Sequence, residues 1–215
     1  MTAPAPARRS NLRVVSNATI EPTTPVSDEQ LIEAVEKGDH ALAGELYDRL
    51  IGVVDHTLYR VFGRRETDHE DLIQAAFEQI VLTLSRQSFA RACSLKTWAS
   101  TVTSHVGFNA LRSRRRERAV LDRQAEAEPE ALPGAADVER QTAARAELDR
   151  MRGHLVGMKS EHAQAVFLHD VLGHDLAEIA LMTNVTVAAA QSRLVRGRKE
   201  LYRRMGVEKS GRRRK

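Results

Sequence analysis

Apolar residues return at helical spacing along most of the chain, and no segment sustains the alternation of a half-buried strand. Residues 1–26 lack this periodicity. They carry Pro4, Pro6, Pro22 and Pro25 among Ala, Thr and Arg, so a disordered tail is predicted there. Order is predicted to begin at "SDEQLIEAV". Ser27 and Gln30 stand at the spacing at which two side chains reciprocally cap a helix start. After an interruption at Gly38, Leu42, Leu46, Leu50, Val54 and Leu58 recur every four residues, one face of a long helix. Thr67 and Glu70 repeat the capping spacing ahead of "DLIQAAFEQIVLTL". There Leu72, Ala76, Ile80 and Leu84 form one stripe, with Ile73, Phe77 and Val81 beside it, while Asp71, Gln74 and Glu78 fall on another side. A further helix is predicted after Ser94, running through Trp98, Val102, Val106 and Phe108 into a cluster of arginines.

Pro129, Pro133 and Gly134 mark residues 119–150 as a linker, with helix regained from about Glu139 to Met158. "SEHAQAVFLHDVL" follows, led by Ser160 and stopped by Gly173. Asp175 and Glu178 form another capping pair ahead of Leu176, Ile179 and Ala180. "TNVT" makes a short turn, and Thr186 is placed to cap the helix "VAAAQSRLVRGRKEL". The expected fold is all-α. A domain over 27–118 and a second over 151–206 are joined by a flexible linker, with a basic tail at 207–215.

Charge sharpens this division. The chain has 215 residues and a formal charge of +4. Between Gln191 and Lys215 there are eleven Lys or Arg against Glu200 and Glu208, and "RSRRRER" makes a second basic cluster at Arg112–Arg118. Between them, residues 119–150 hold eight acids against four bases. Two basic patches around an acidic stretch suit either two contacts on a polyanion or two solvated helix faces. Aromatics make up 4% of the residues, so the cores are expected to be built from Leu, Ile, Val and Ala. The lone cysteine, Cys93, allows no internal disulfide and no cysteine-based zinc site. No run approaches the roughly 18 apolar residues of a membrane span, and the start lacks a secretory apolar core. A cytoplasmic protein without membrane insertion is expected.

Asp175–Met182 and Val187–Leu201, joined by a tight turn, have the layout of a helix-turn-helix, in which the first helix braces the second against a major groove. Val187, Ala190, Leu194 and Leu201 share the expected packing face. Gln191, Arg193, Arg196 and Lys199 project elsewhere, and arginine and glutamine are residues that pair bidentately with guanine and adenine. A helical hairpin inside any bundle shares this pattern. His162, His169 and His174 lack metal-ligand spacing, and neither a phosphate-cradling glycine loop nor a nucleophile–base pair is present, so no enzyme, metal or cofactor is expected.

The segment from Met158 to Leu201, with Glu178-Ile179-Ala180 and Ser192-Arg193-Leu194 followed by Arg196 and Arg198, resembles the promoter-recognition domain of sigma-70 family sigma factors. It is most similar to the extracytoplasmic-function group. "DHEDLIQAAFEQIVLTL", "SLKTWASTV" and "NALRSRRRER" resemble the family's partner domain in the matching order. The resemblance implies that Asp71, Gln74, Phe77 and Glu78 dock on the beta-prime clamp helices of core RNA polymerase. It implies that His105, Asn109, Arg112, Arg114, Arg115 and Arg116 meet the −10 region, the arginines gripping phosphate, and that "QSFARACS" receives an extruded base of the melted non-template strand. Ala189, Gln191, Ser192, Arg193, Arg196 and Lys199 would meet double-stranded promoter DNA at −35. Ala189-Ala190-Gln191 stands where the family commonly has Thr-Val-Lys, and Thr103-Ser104-His105 where it has Ala-Arg-Asn, so an unusual promoter preference is expected. An anti-sigma partner is implied by the group. The alternative is a helix-turn-helix regulator that never joins polymerase stably.

Overall fold

In the computed structural model, residues 26–121 and 136–206 are described; the expected tail up to Pro25, the middle of the linker and the basic tail at 207–215 lie outside the described residues. Eight α-helices make up this part of the chain. Helix α1 spans Asp28–Lys37 and opens with the predicted cap: Ser27 Oγ accepts from Gln30 N and Gln30 Oε1 accepts from Ser27 N at 2.8 Å. It ends where Gly38 turns left-handed at φ 71°, a conformation glycine adopts without a side-chain penalty. Leu42 lies in a short 3-10 turn, His40–Leu42, rather than in the long helix expected. Asp39 Oδ1 accepts from Ala41 N there, and helix α2 runs Ala43–Phe62 with Leu46, Leu50, Val54 and Leu58 buried.

Helix α3, His69–Ser85, begins without the Thr67–Glu70 cap. Its preceding residue, Asp68, is held instead by Arg114, whose Nη2 donates to both carboxylate oxygens at 2.6 Å. Helix α4, Leu95–Leu121, starts where Ser94 Oγ accepts from Thr97 N, and it carries the arginine cluster in its second half. These four helices share one core. Leu50, Val54 and Leu58 of α2, Ile80 and Leu84 of α3 and Ala99 of α4 are fully enclosed. Each large side chain removed from water in this way contributes about 1.5–3 kcal/mol. Trp98 belongs to the core, its ring 4.7 Å from that of Phe89.

Helix α5, Ala136–Val156, covers most of the helix expected from about Glu139 to Met158. Helix α6, Ser160–Val166, passes into a π turn at Phe167–Val171 and stops at Gly173, φ 82°. Helix α7, Leu176–Met182, has the reciprocal Asp175–Glu178 cap, and Thr186 Oγ1 accepts from Ala189 N to start α8, Val187–Arg204. Leu168, Ile179, Ala180, Met182 and Ala190 form the small core that fixes α7 to α8. The two helical units touch: the Phe108 and Phe167 rings meet edge-on at 5.2 Å, Thr101 Oγ1 donates to Met182 Sδ at 3.0 Å, and Arg60 Nη2 donates to the Val171 carbonyl at 2.7 Å. No helix among the described residues is long and apolar enough to cross a membrane.

Candidate functional site

The first surface lies on α3. Burial of Leu72, Ile73, Ala76 and Ile80 against the core turns Asp71, Gln74 and Glu78 outward, all three exposed. Gln74 Nε2 donates to Glu78 Oε1 at 3.0 Å, which fixes both side chains along the helix. Phe77 is half-buried and stacks on Tyr47 of α2, ring centres 4.7 Å apart and planes at 29°. A groove of about 470 Å³ opens here, lined by Val35, Leu46, Tyr47, Ile73 and Phe77 with Asp71 and Gln74 at its edge. Tyr47 was missed by sequence reasoning, because only the fold brings it to Phe77. The arrangement, apolar inside and polar at the rim, suits the face of a partner helix.

The second surface is the basic half of α4. His105 and Asn109 are exposed, one turn apart. Local desolvation, and after it the neighbouring Arg112 charge, hold the His105 imidazole below its usual value. Arg112 is partly buried, donating from Nη1 to Asn109 Oδ1 at 3.2 Å and from Nε to the Val156 carbonyl at 3.3 Å. Arg115 and Arg116 are exposed. Arg114 is differently employed: besides Asp68 it meets Glu66 at 3.2 Å, and its guanidinium sits 4.9 Å from the centre of the Phe62 ring. Its bond to Asp68 keeps that carboxyl below the ordinary range. Arg114 therefore ties α4 to the α2–α3 loop rather than reaching outward.

Helix α8 provides the third surface. Ala190, Leu194, Gly197 and Leu201 are buried against α6 and α7, which sets the opposite face outward. Gln191, Arg196 and Lys199 are exposed on that side, Ser192 and Arg193 are partly exposed, and Ala189 lies near the N-terminal cap. Val187, expected in the packing face, is 49% exposed as the first residue of α8. Val195, between Gln191 and Lys199 at four-residue spacing, is 58% exposed, and it too was missed. Arg198 points the other way: it pairs with Asp170, locking α8 to the π turn. Among the described residues no group of three or more His, Cys, Asp or Glu could hold a metal ion.

This combination, a helix-turn-helix behind a separate four-helix unit with an open apolar groove and a basic helix end, defines a two-part DNA-associated protein of all-α class. The family model for sigma-70 region 2 matches residues 46–117, and that for sigma-70 region 4 matches residues 156–201. The chain belongs to the sigma-70 family of sigma factors, a non-catalytic family that directs RNA polymerase to promoters. The solved structures similar to it include two sigma factor complexes. One is the sigma factor RpoE in complex with the anti-sigma factor NepR from Bartonella quintana, 19% identical, covering 77% of this chain and 99% of that one at a TM-score of 0.43. The other is CnrH in complex with the cytosolic domain of CnrY, 22% identical, covering 84% of this chain and 98% of that one at a TM-score of 0.47. No curated protein matches the sequence.

Proposed function

We propose that the chain is a cytoplasmic sigma factor of the extracytoplasmic-function group, with residues 27–118 docking on core polymerase and opening the −10 region, 119–150 linking, and 151–206 reading the −35 element. The observation that carries this reading is the pairing, on one chain, of a region 2 match bearing the α3 groove with a region 4 match bearing the outward face of α8. Asp71, Gln74, Phe77 and Glu78 meet the beta-prime clamp helices, and Tyr47 widens the apolar contact through its stack on Phe77.

On DNA, Arg112, Arg115 and Arg116 hold backbone phosphates while His105 and Asn109 face the −10 bases and the melted non-template strand. Ala189, Gln191, Ser192, Arg193, Arg196 and Lys199 face the −35 major groove, with Val195 offering an apolar surface to a thymine methyl group. Elements about 25 base pairs apart lie about 85 Å apart along the duplex axis. The contacts of Phe108 with Phe167 and of Thr101 with Met182 must therefore part when both are engaged. An anti-sigma partner enters through the group resemblance, and co-purification from the source cells tests it.

Capture of core polymerase on immobilised chain tests the docking assignment. Asp71 is exposed and stabilises nothing in the fold beyond the first turn of α3, so Asp71→Ala is expected to fold normally and to bind core polymerase more weakly. Equal affinity of variant and parent removes Asp71 from the interface.

A further inference from the structure

Four arginines gather at the seam between the two helical units. Arg112, Arg115 and Arg116 of α4 and Arg204 of the last turn of α8 line a pocket of about 420 Å³, together with Val156 and Gly157. A Cβ built on Gly157 would stand 2.9 Å from Arg115 Nη1 and 3.0 Å from Arg204 Nη1, so guanidiniums from different units flank one point above bare backbone. Among the described residues no acid lines this pocket. Glu200 occupies one edge of Arg204, accepting from Nε at 3.1 Å and Nη2 at 2.8 Å, and leaves Nη1 turned to the pocket. Arg112 donates from Nε and Nη1, whereas its Nη2 is buried without a partner.

Several like charges around one small space repel one another, and among the described residues Glu200 is the one carboxylate paired with them. An anion in the pocket would relieve that repulsion. Guanidinium forks match phosphate oxygens two at a time, and the pocket volume falls within the range of small-ligand sites, about 300–1,000 Å³.

We propose that this pocket binds a free oligophosphate anion, the size of pyrophosphate or of a nucleotide's triphosphate, and that the bound anion ties α4 to α8. The anion supplies negative charge between the Arg115 and Arg204 guanidiniums and holds together units that promoter binding must separate. Competition with promoter DNA for Arg112, Arg115 and Arg116 rests on the proposed function; binding of the anion itself does not.

Isothermal titration of the full chain with pyrophosphate and tripolyphosphate, against sulfate at matched ionic strength and with neither polymerase nor promoter present, tests the site. Binding of tripolyphosphate about tenfold or more tighter than sulfate is expected. Arg204→Ala and, independently, the exposed Arg116→Ala should each weaken tripolyphosphate about tenfold, with thermal melting confirming that each is folded. No heat from either phosphate, equal affinity for sulfate and tripolyphosphate, or parental affinity in both variants overturns the proposal. A labelled duplex without promoter sequence separates the two sources of phosphate. Duplex binding by Arg204→Ala within about twofold of parent is expected, whereas a tenfold loss there would assign the pocket to DNA backbone and overturn the free anion.

Discussion

Replacing Gly197 by alanine sets two effects of opposite sign against each other. Inside an exposed helix the change stabilises by about 1 kcal/mol, because alanine loses less backbone freedom on folding. Gly197 is buried, however, and lies where α8 runs tight against α6. A Cβ there would be 2.7 Å from Val166 Cγ2, 2.8 Å from the His162 carbonyl oxygen and 3.3 Å from the His162 carbonyl carbon. Carbon contacts are relaxed near 3.5–4.0 Å, so the helices must part by roughly 1 Å. The nearest oxygen belongs to the backbone of α6 and has no rotamer to escape into. Overpacking of this kind costs about 1–3 kcal/mol, and the parting also loosens Leu194 and Leu201, which are buried in the same seam. The net expectation is destabilisation by about 1–2 kcal/mol, a melting temperature lower by about 2–8 °C, with weaker −35 duplex binding as α8 tilts. Thermal and urea unfolding of parent and Gly197→Ala, with duplex binding by anisotropy, measure this. A variant that melts higher than the parent would refute the close-packing argument.

Arg114→Ala should lower stability by about 2 kcal/mol through loss of the Asp68 and Glu66 bonds and the contact over Phe62, while leaving the salt dependence of duplex binding unchanged. A smaller salt slope with unchanged melting would instead make Arg114 a phosphate contact. Arg193→Ala is expected to weaken binding to the cognate −35 duplex by about 1–3 kcal/mol, checked by anisotropy on promoter and scrambled duplexes. Arg198, together with His169, holds the Asp170 carboxyl below its ordinary range. That contribution to stability is present above the unfolded value near pH 4 and is lost as pH falls through the folded value below it. Asp170→Asn should therefore be less stable than the parent by about 1 kcal/mol at pH 7, the gap closing under acid in pH-dependent urea unfolding.

Features determined within a few residues were legible in the chain. The Ser27–Gln30 and Asp175–Glu178 caps and the Thr186 cap formed as read, because their partners are three residues apart. The Leu72–Leu84 stripe was legible for the same reason, since one helix face is set by spacing alone. Failures came where a distant residue intervened or where a helix end left a position uncovered. The Thr67–Glu70 cap gives way to a bond between Asp68 and Arg114, 46 residues on. Tyr47 reaches the groove beside Phe77 only because α2 and α3 pack side by side. Val187 satisfies the helical periodicity but stands at the first position of α8, where no neighbour covers it. Arg204, far from the α4 arginines in the chain, joins them only across the seam between the units.

Run-off transcription with core polymerase on fragments of the source genome, with and without the purified chain, measures whether the chain directs initiation. Discrete transcripts that require the chain and diminish with Asp71→Ala or Arg193→Ala are predicted. Core polymerase that starts no RNA on any fragment in the presence of the chain, with inhibitory partners removed, would contradict the account.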